Sequence, residues 1–560
     1  MLTLMFVFFL AGLCFAKIII QGIYLIHKLQ QLSYSNAKML TWLEGTTYRK
    51  VLVWNLFELF IPLLMILMFY FVSKGQLVVY KWVTSSIMVA VFIWKIIHPF
   101  SAGWMGKKAN YKKPLVYTAR VKRLLFTLGL LVFIILSLTF ISVIYPLNRF
   151  SLSSWFFFRY NSFILLYSVL TPIFILIANL INAPVEKLVR YIYFVKAKVK
   201  LQKSQVSSIG ITGSFGKTST KFFLASVLNS KYKTLTTPSS FNTPMGISKV
   251  LNGEMLDGYK YFTAEMGADH VGDIKELCNL VQPKAGIITA VGIQHLETFG
   301  TPENILKTKL ELFDAIPESG FGIYNYDCKM LRDGIAEQSY KFSLYSYSME
   351  PQNFSNVYLY AKDIIQDCNG LAFSACFKDG RILNIKTGLL GRHNVLNLLA
   401  VILAAWKNGM SDKEIEFGMR SVEAVDHRLK RIDSGNGVLV LDDAFNSNYN
   451  GAIEAVNVLN EIGTNKKIVV TPGFVELGDM EVEQNRNFGS YMASKIDYAI
   501  LVGGGKSMSI RDGLLDKGFA FDHIFQVDSL SDAQNVLAKI LTVGDVVLFE
   551  NDLPDVYSKM

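Results

Sequence analysis

A multi-pass α-helical membrane domain, then an α/β central domain with a phosphate loop, then a smaller Rossmann-like α/β domain: this is the architecture the sequence predicts. Three observations predict it. Apolar residues crowd into the first 182 or so positions, short β-rich runs alternate with helical stretches from Val206 onward, and GITGSFGKTSTK at 210–221 stands where the second pattern begins. A chain of 560 residues exceeds the usual span of about 100 to 200 residues per domain. The changes of pattern place the expected domains at 1–204, 205–430 and 431–560.

The apolar half comes first. Hydrophobic residues make up 51% of the chain and mean hydropathy is +0.32, too apolar for an ordinary soluble enzyme unless the excess is local. Five segments, near 2–26, 51–73, 77–96, 123–145 and 161–182, reach the length of about 20 residues that a bilayer crossing takes. The first, MLTLMFVFFLAGLCFA, starts at the initiator Met with no basic stretch before it, so it reads as an anchor with its N-terminus outside rather than a cleaved signal. Residues 97–122 carry Lys107, Lys108, Lys112, Lys113, Arg120 and Lys122 with no acid, whereas 146–160 has only Arg149 and Arg159. The positive-inside rule puts the former in the cytoplasm. With five spans, the basic loop 27–50 and the basic stretch after 183 fall on that same side, which delivers the rest of the chain to the cytoplasm, where ATP is. The expected location is therefore the cell membrane, with a lipid bilayer as partner. Glu58 is either an ionisable group inside the second span, and so a functional candidate, or an interfacial residue of a span that starts near Leu56. Residues 185–203, VEKLVRYIYFVKAKVKLQK, interleave basic and apolar residues as an interfacial amphipathic helix or a plain linker helix would.

The net charge of +11 does not call for nucleic acid, because Lys and Arg gather around the apolar segments and no nucleic-acid module is recognisable. The five cysteines (Cys14, Cys278, Cys328, Cys368 and Cys376) form no CxxC pair, which suggests neither a disulfide framework nor a zinc site. Nothing in the pattern fixes an oligomeric state.

In the second half, VSSIGIT, YFTAEM, AGIITAV, GVLVLDD, KKIVVT, YAILVG and DVVLFE are candidate strands of a parallel α/β fold. The first leads through Gly213, Ser214, Phe215 and Gly216 into KTSTKFFLASVLNS, the strand, loop and helix order of a phosphate loop. Its glycines let backbone N–H groups approach phosphate oxygens, and the helix start, with Lys217, Thr218 and Ser219, adds positive potential. Lys217 is expected on the outer phosphates and the Thr218 hydroxyl on Mg²⁺. Ile211 stands where a strict GxxxxGK[ST] would have its first glycine.

Further motifs follow: FNTPMGIS (241–248), EMGADHVGDI (265–274), TAVGIQHLETFGTPENILKTKLELF (289–313), GRHNVLNLLA (391–400), DHRLKRI (426–432) and LDDAFNSN (441–448). In identity and order they resemble the Mur ligase family, the ATP-dependent amide-bond-forming enzymes of peptidoglycan synthesis. EMGA and DDAFNSN look most like the branch that adds D-alanyl-D-alanine. The resemblance covers about residues 205–560. It implies a reaction in which ATP phosphorylates a carboxylate and an amine attacks the acyl phosphate, with ATP and two Mg²⁺ ions as cofactors. It further implies that Glu265, with Thr218, is a ligand of the first Mg²⁺ and His295 of the second. Lys309 matches the lysine that in this family becomes carbamylated, turning an amine into a carboxylate-like metal ligand. Asn394 and Asn397 correspond to positions near the adenine, Arg428 to an arginine reaching the terminal phosphate from the interdomain hinge, and Asp442 or Asp443 to the ribose contact. On this correspondence Lys217, His295, Lys309 and Arg428 are the catalytic set.

The sequence departs from the family at Ala290, where an asparagine is usual, and at Tyr449, where a proline is usual, while the C-terminal signature reads TPGF (471–474) followed by a retained VELG. These changes bear on the amine substrate. The larger departure is that membrane segments stand where the family has its UDP-sugar-holding domain. The carboxylate is therefore expected on a lipid-linked saccharide or a growing polymer, and the second substrate is expected to be an amino acid, peptide or other small amine. The competing reading is an ATPase coupled to transport through its own spans, for which no LSGGQ signature is present.

Overall fold

The computed structural model describes residues 18–45, 115–144, 170–239, 241–292, 296–435, 437–444, 449–474, 480–503 and 507–551. These fall into two compact units, 1–190 and 191–560.

In the first unit, helix α1 (residues 18–31) and α2 (Asn36–Glu44) pack with α3 (Ala119–Ile144) and the first turns of α4 (Thr171–Lys203). Their shared core contains Ile18, Leu25, Leu29, Met39, Leu124, Leu128, Val132 and Phe174. A Cβ on Gly22 would come 2.5 Å from a Leu128 methyl, the close helix approach that small residues allow. Outward, Phe126, Phe133, Leu138 and Leu180 are more than half exposed. Residues 119–138 and α4 are each long and apolar enough to cross a membrane by length and composition. They correspond to the expected fourth and fifth spans. The first expected span is described only from residue 18, while the second and third, with Glu58, lie outside the described residues.

The expected domain boundary at 204 shifts. The compact α/β half begins at Tyr191, because Ala197 and Leu201 of α4 are buried with Val206, Leu235 and Ile247. The last turns of α4 thus pack as part of the α/β half.

That half holds two sheets. The first runs β2-β3-β1-β4-β5-β6-β7-β8-β9, with β1 (Ser207–Thr212), β2 (Thr234–Thr236), β3 (Tyr261–Glu265), β4 (Ala285–Ile288), β5 (Phe321–Asn325), β6 (Ser343–Ser348), β7 (Leu359–Asp367), β8 (Gly370–Phe377) and β9 (Ile382–Thr387). Pairing is parallel from β2 to β7 and antiparallel through β8 and β9. Residues 208–212 of β1 are all buried, as expected of a parallel strand covered on both faces. The covers include α5 (Lys217–Asn229), α6 (Pro244–Gly253), α7 (Asp273–Val281), α8 (Pro302–Asp314), α9 (Lys329–Ala336), α10 (His393–Lys407) and α11 (Asp412–Arg420). β1 lies between β3 and β4, so the strand order reverses there, and ligands of open α/β sheets bind outside the carboxyl ends of strands at such a reversal.

The second sheet runs β10-β11-β15-β12-β13-β14, from β10 (Lys430–Asp433), β11 (Leu439–Asp443), β12 (Lys467–Thr471), β13 (Tyr498–Val502), β14 (Ile524–Val527) and β15 (Val546–Glu550). Only β10 pairs antiparallel. Helices α12 (Tyr449–Ile462), α13 (Glu481–Met492), α14 (Met508–Asp516) and α15 (Leu530–Ile540) accompany it. The expected boundary at 430/431 falls at the first residue of β10.

Candidate active site

The chain leaves β1 at the sheet reversal and turns through Gly213 (φ +148°) and Gly216 (φ +78°) into α5. Both angles lie where side chains are strained. At Gly216 a Cβ would also come 2.5 Å from Asn397 Oδ1. The loop is held from outside: Ser214 Oγ donates to the Gly292 carbonyl at 3.0 Å, and Thr289 Oγ1 donates to the Phe215 carbonyl. Lys217 Nζ donates to the carbonyls of Gly213 (2.7 Å) and Ser214 (2.9 Å), which anchors the ammonium over the loop. Burial lowers its pKa to about 8, an effect that nearby Arg428 reinforces and Glu265 opposes.

Glu265, the last residue of β3, pairs in the sheet with Ile211 and so stands beside the loop. It is almost fully buried, and four groups converge on it. Thr218 Oγ1 donates to Oε2 at 3.0 Å, Lys221 Nζ donates to the same oxygen at 3.2 Å, Asn242 Nδ2 donates to Oε1 at 3.2 Å, and the charge of Arg428 faces it. Thr218 and Glu265 offer the hard oxygen donors that Mg²⁺ prefers, beside the phosphate loop, so these residues fit that ion. His295 lies outside the described residues. Among the described residues no group of three or more His, Cys, Asp or Glu side chains gathers as a metal cage.

Lys309, on α8, is buried, with its ammonium 5.9 Å from the Phe299 ring centre. Burial, reinforced by the charge of Lys217, lowers its pKa to about 7, while Asp269, Asp273 and Glu311 oppose the shift. Lys217 and Lys309 line one cavity of about 300 Å³ together with Gly213, Asn242, Asp269 and Glu276. The two expected lysines therefore share one cavity. Asp273 and Glu311 have structural duties: Asp273 Oδ2 accepts from the Asp269 and His270 N–H groups, and Glu311 accepts from those of Gly272 and Lys275.

Asn394 and Asn397 do not line that cavity. Both are buried at the start of α10, where Asn397 Nδ2 donates to Asn394 Oδ1 (3.0 Å) and Thr220 Oγ1 donates to Asn397 Oδ1 (3.2 Å), bracing the phosphate-loop helix. Ser219, on the first turn of α5, is half-buried.

Arg428 sits between two non-glycine residues with left-handed backbone, His427 (φ +59°) and Leu429 (φ +49°). Burial draws its guanidinium below the usual range, against the pull of Asp443 and Glu265. The Leu429 N–H donates to Asp443 Oδ1 at 2.9 Å, and Asp442 Oδ2 lies 2.8 Å from His427 Nδ1. Burial raises the Asp443 carboxyl to about 6, and Glu550, opposite it in the β11–β15 register, is fully buried. Burial also lowers His393 to about 4, so its ring is neutral at pH 7 and adds no charge beside Arg428.

Sequence reasoning missed Lys221 and Asn242. Their signal was present, since Lys221 lies one helical turn after Thr218 in KTSTK and Asn242 opens the NTP run, but only folding brings them to Glu265.

Against known proteins, residues 211–405 match the Mur ligase middle domain and residues 427–550 the Mur ligase glutamate ligase domain. The chain is 28% identical over 356 residues to the UDP-N-acetylmuramoyl-tripeptide--D-alanyl-D-alanine ligase of Bacillus subtilis, covering 63% of this chain and 75% of that one. It is 32% identical over 270 residues to the ligase of the same name from Escherichia coli, covering 48% and 58%. Among solved structures, the MurF ligase from Thermotoga maritima in complex with ADP superposes with a TM-score of 0.57 at 24% identity, covering 66% of this chain and 81% of that one, a likeness of fold.

Proposed function

This chain belongs to the Mur ligase family, and on that premise we propose that it is a membrane-anchored ATP-dependent ligase that joins an amine to a carboxylate carried on a lipid-linked saccharide or a growing polymer. Formation of a C–N bond at the expense of ATP is the family's chemistry. The observation that carries the reading is the convergence of Lys217, Thr218, Glu265 and Arg428 at the carboxyl end of β1.

A carboxylate is a poor electrophile, so its oxygen first attacks the terminal phosphorus of ATP, the bond to ADP breaks, and an acyl phosphate forms. The amine nitrogen then attacks the acyl carbon, phosphate leaves, and the nitrogen loses a proton. Lys217 and the loop N–H groups hold the outer phosphates, and Arg428 brings a second cation from the hinge. Mg²⁺ held by Thr218 and Glu265 would supply further neutralisation of phosphate charge. Lys221 and Asn242 fix the Glu265 carboxylate. Lys309, whose amine is largely neutral above pH 7, is suited to add CO₂, losing a proton and becoming a carbamate that offers oxygen to a second Mg²⁺ with His295.

A domain division at about 430, a five-span topology with the catalytic half in the cytoplasm, and a membrane-borne acceptor belong to the same proposal. The topology is supported by the charge asymmetry of the loops and by α3 and α4. The relatives' name points to D-alanyl-D-alanine as the first amine to try.

The test is phosphate release by full-length protein in detergent with Mg²⁺ and ATP, across amino acids and dipeptides, with and without lipid extract or a UDP-linked muramoyl peptide. Release that needs both an amine and the lipid fraction is expected. Release with the UDP-linked precursor alone would overturn the membrane-borne acceptor, and release indifferent to both substrates would indicate a transport ATPase.

A further inference from the structure

The first unit contains a cationic cluster that the ligase chemistry does not use. Arg120 and Arg123, one turn apart at the start of α3, meet Glu186 of α4. Arg123 Nε donates to Glu186 Oε1 at 2.8 Å, and Nη2 lies 2.7 Å from the same oxygen. Glu186 is buried and is spent on this one partner. Arg120 lies over the Tyr34 ring, its guanidinium carbon 3.8 Å from the ring centre, and its Nε is buried without a hydrogen-bond acceptor. Arg190, exposed one turn beyond Glu186, lies within electrostatic reach of Arg120, as do Arg123 and Glu186. Around Arg120 three guanidinium groups thus gather with one carboxylate, leaving an excess of two positive charges and one unmet buried donor.

Arginines are a costly choice where nothing anionic is bound, because like charges repel and a buried N–H without an acceptor loses its hydration. Planar guanidinium groups match the oxygens of a phosphate. The cluster also sits at the basic end of two apolar helices, α3 and α4, each of which exposes large apolar side chains just beyond it: Phe126, Leu130 and Phe133 on one, Ile177, Leu180 and Ile181 on the other. Above the cluster lies hydrocarbon-compatible surface, and at the cluster lies charge. That sequence of layers is the profile of a phospholipid.

We propose that Arg120, Arg123 and Arg190 form a binding site for the phosphate of an anionic lipid headgroup, its acyl chains lying along the exposed apolar face of α3 and α4. The site rests on the reading of α3 and α4 as membrane helices. It fixes the depth of the first unit, placing the Arg120–Glu186 level at the cytoplasmic headgroups.

Full-length protein in detergent, analysed by native mass spectrometry with short-chain phosphatidylglycerol, phosphatidylcholine or inorganic phosphate, tests it. Phosphatidylglycerol is expected to be retained at least tenfold more tightly than phosphatidylcholine. Arg190→Gln, an exposed substitution that leaves the fold intact, and Arg120→Gln should each weaken that retention about fivefold, the effect of one basic residue at an anionic surface. Glu186→Gln should tighten it. Equal retention of the two lipids, or an Arg190→Gln protein that binds phosphatidylglycerol like the parent, overturns the site. Displacement by inorganic phosphate at matched concentration overturns the lipid assignment in favour of a soluble anion. If the membrane-borne acceptor is wrong, phosphate release with the UDP-linked precursor reveals it while this ranking of lipids stands.

Discussion

The two sheets of the ligase half differ in the chemistry at their carboxyl ends. Around the first sheet stand Lys217, Lys221 and Lys309 with Glu265 and a glycine loop, and around the second stand Asp442, Asp443 and Glu550. A nucleotide is likewise divided, with charge at its phosphates and hydroxyls at its ribose. The difference shows that residue choice at the strand ends, rather than the sheet itself, sets the charge each sheet presents. Arg428, at the hinge, answers to both sides, to Glu265 of the first sheet and Asp443 of the second.

Substitutions can break or sharpen this division. The largest effect is expected for Lys217→Ala, which should reduce ATP-dependent phosphate release by at least about 1,000-fold, the upper range for loss of one charge-stabilising donor. A loss no greater than that of the second-sheet variant below would erase the contrast. Lys221→Met leaves Glu265 buried without its ion-pair partner, and should lower stability by about 3–5 kcal/mol, read as a fall in the unfolding midpoint in denaturant. Adding Glu265→Gln should recover part of that loss, and an additive double variant would show that the pair is not coupled.

Lys309→Ala should lower turnover by about 10- to 100-fold and be partly restored by short-chain carboxylates. Its pKa is depressed to about 7, so in the parent protein the neutral amine grows as pH rises through 7. Activity lost by removing CO₂ should therefore return faster at pH 8 than at pH 6 when dissolved CO₂ is restored to the same concentration, and equal recovery would remove the carbamate role. Smallest is Asp443→Asn, expected to raise the KM for ATP severalfold with kcat retained, as befits a sugar contact. A collapse of kcat would move Asp443 into the phosphate chemistry.

Much of the ligase half is legible in the sequence. The strands SSIGIT, YFTAE and AGII declare themselves as apolar runs, because parallel strands are buried on both faces. The hairpins β7–β9 are quieter, since ILNIKT alternates buried and exposed residues in a pattern shared with many loops and surface strands. For the site, a local motif reveals Lys217 and Thr218, and only the pairing of β1 with β3 brings Glu265 to them. Asn397 illustrates what a motif cannot tell: the residue is where the sequence pattern expects it, yet its described hydrogen-bond partners are Thr220 and Asn394. Lys221 escapes because a lysine on a helix reads as a solvated charge until burial is known.

His427 and Leu429 hold a left-handed backbone on either side of Arg428. For residues with a Cβ this conformation costs about 1–2 kcal/mol each. Any rotation of the hinge that carries both back to negative φ therefore releases about 2–4 kcal/mol, enough to tilt an evenly balanced equilibrium by roughly 30- to 1,000-fold. The Leu429 N–H on the Asp443 carboxylate is one contact that holds this backbone against that release.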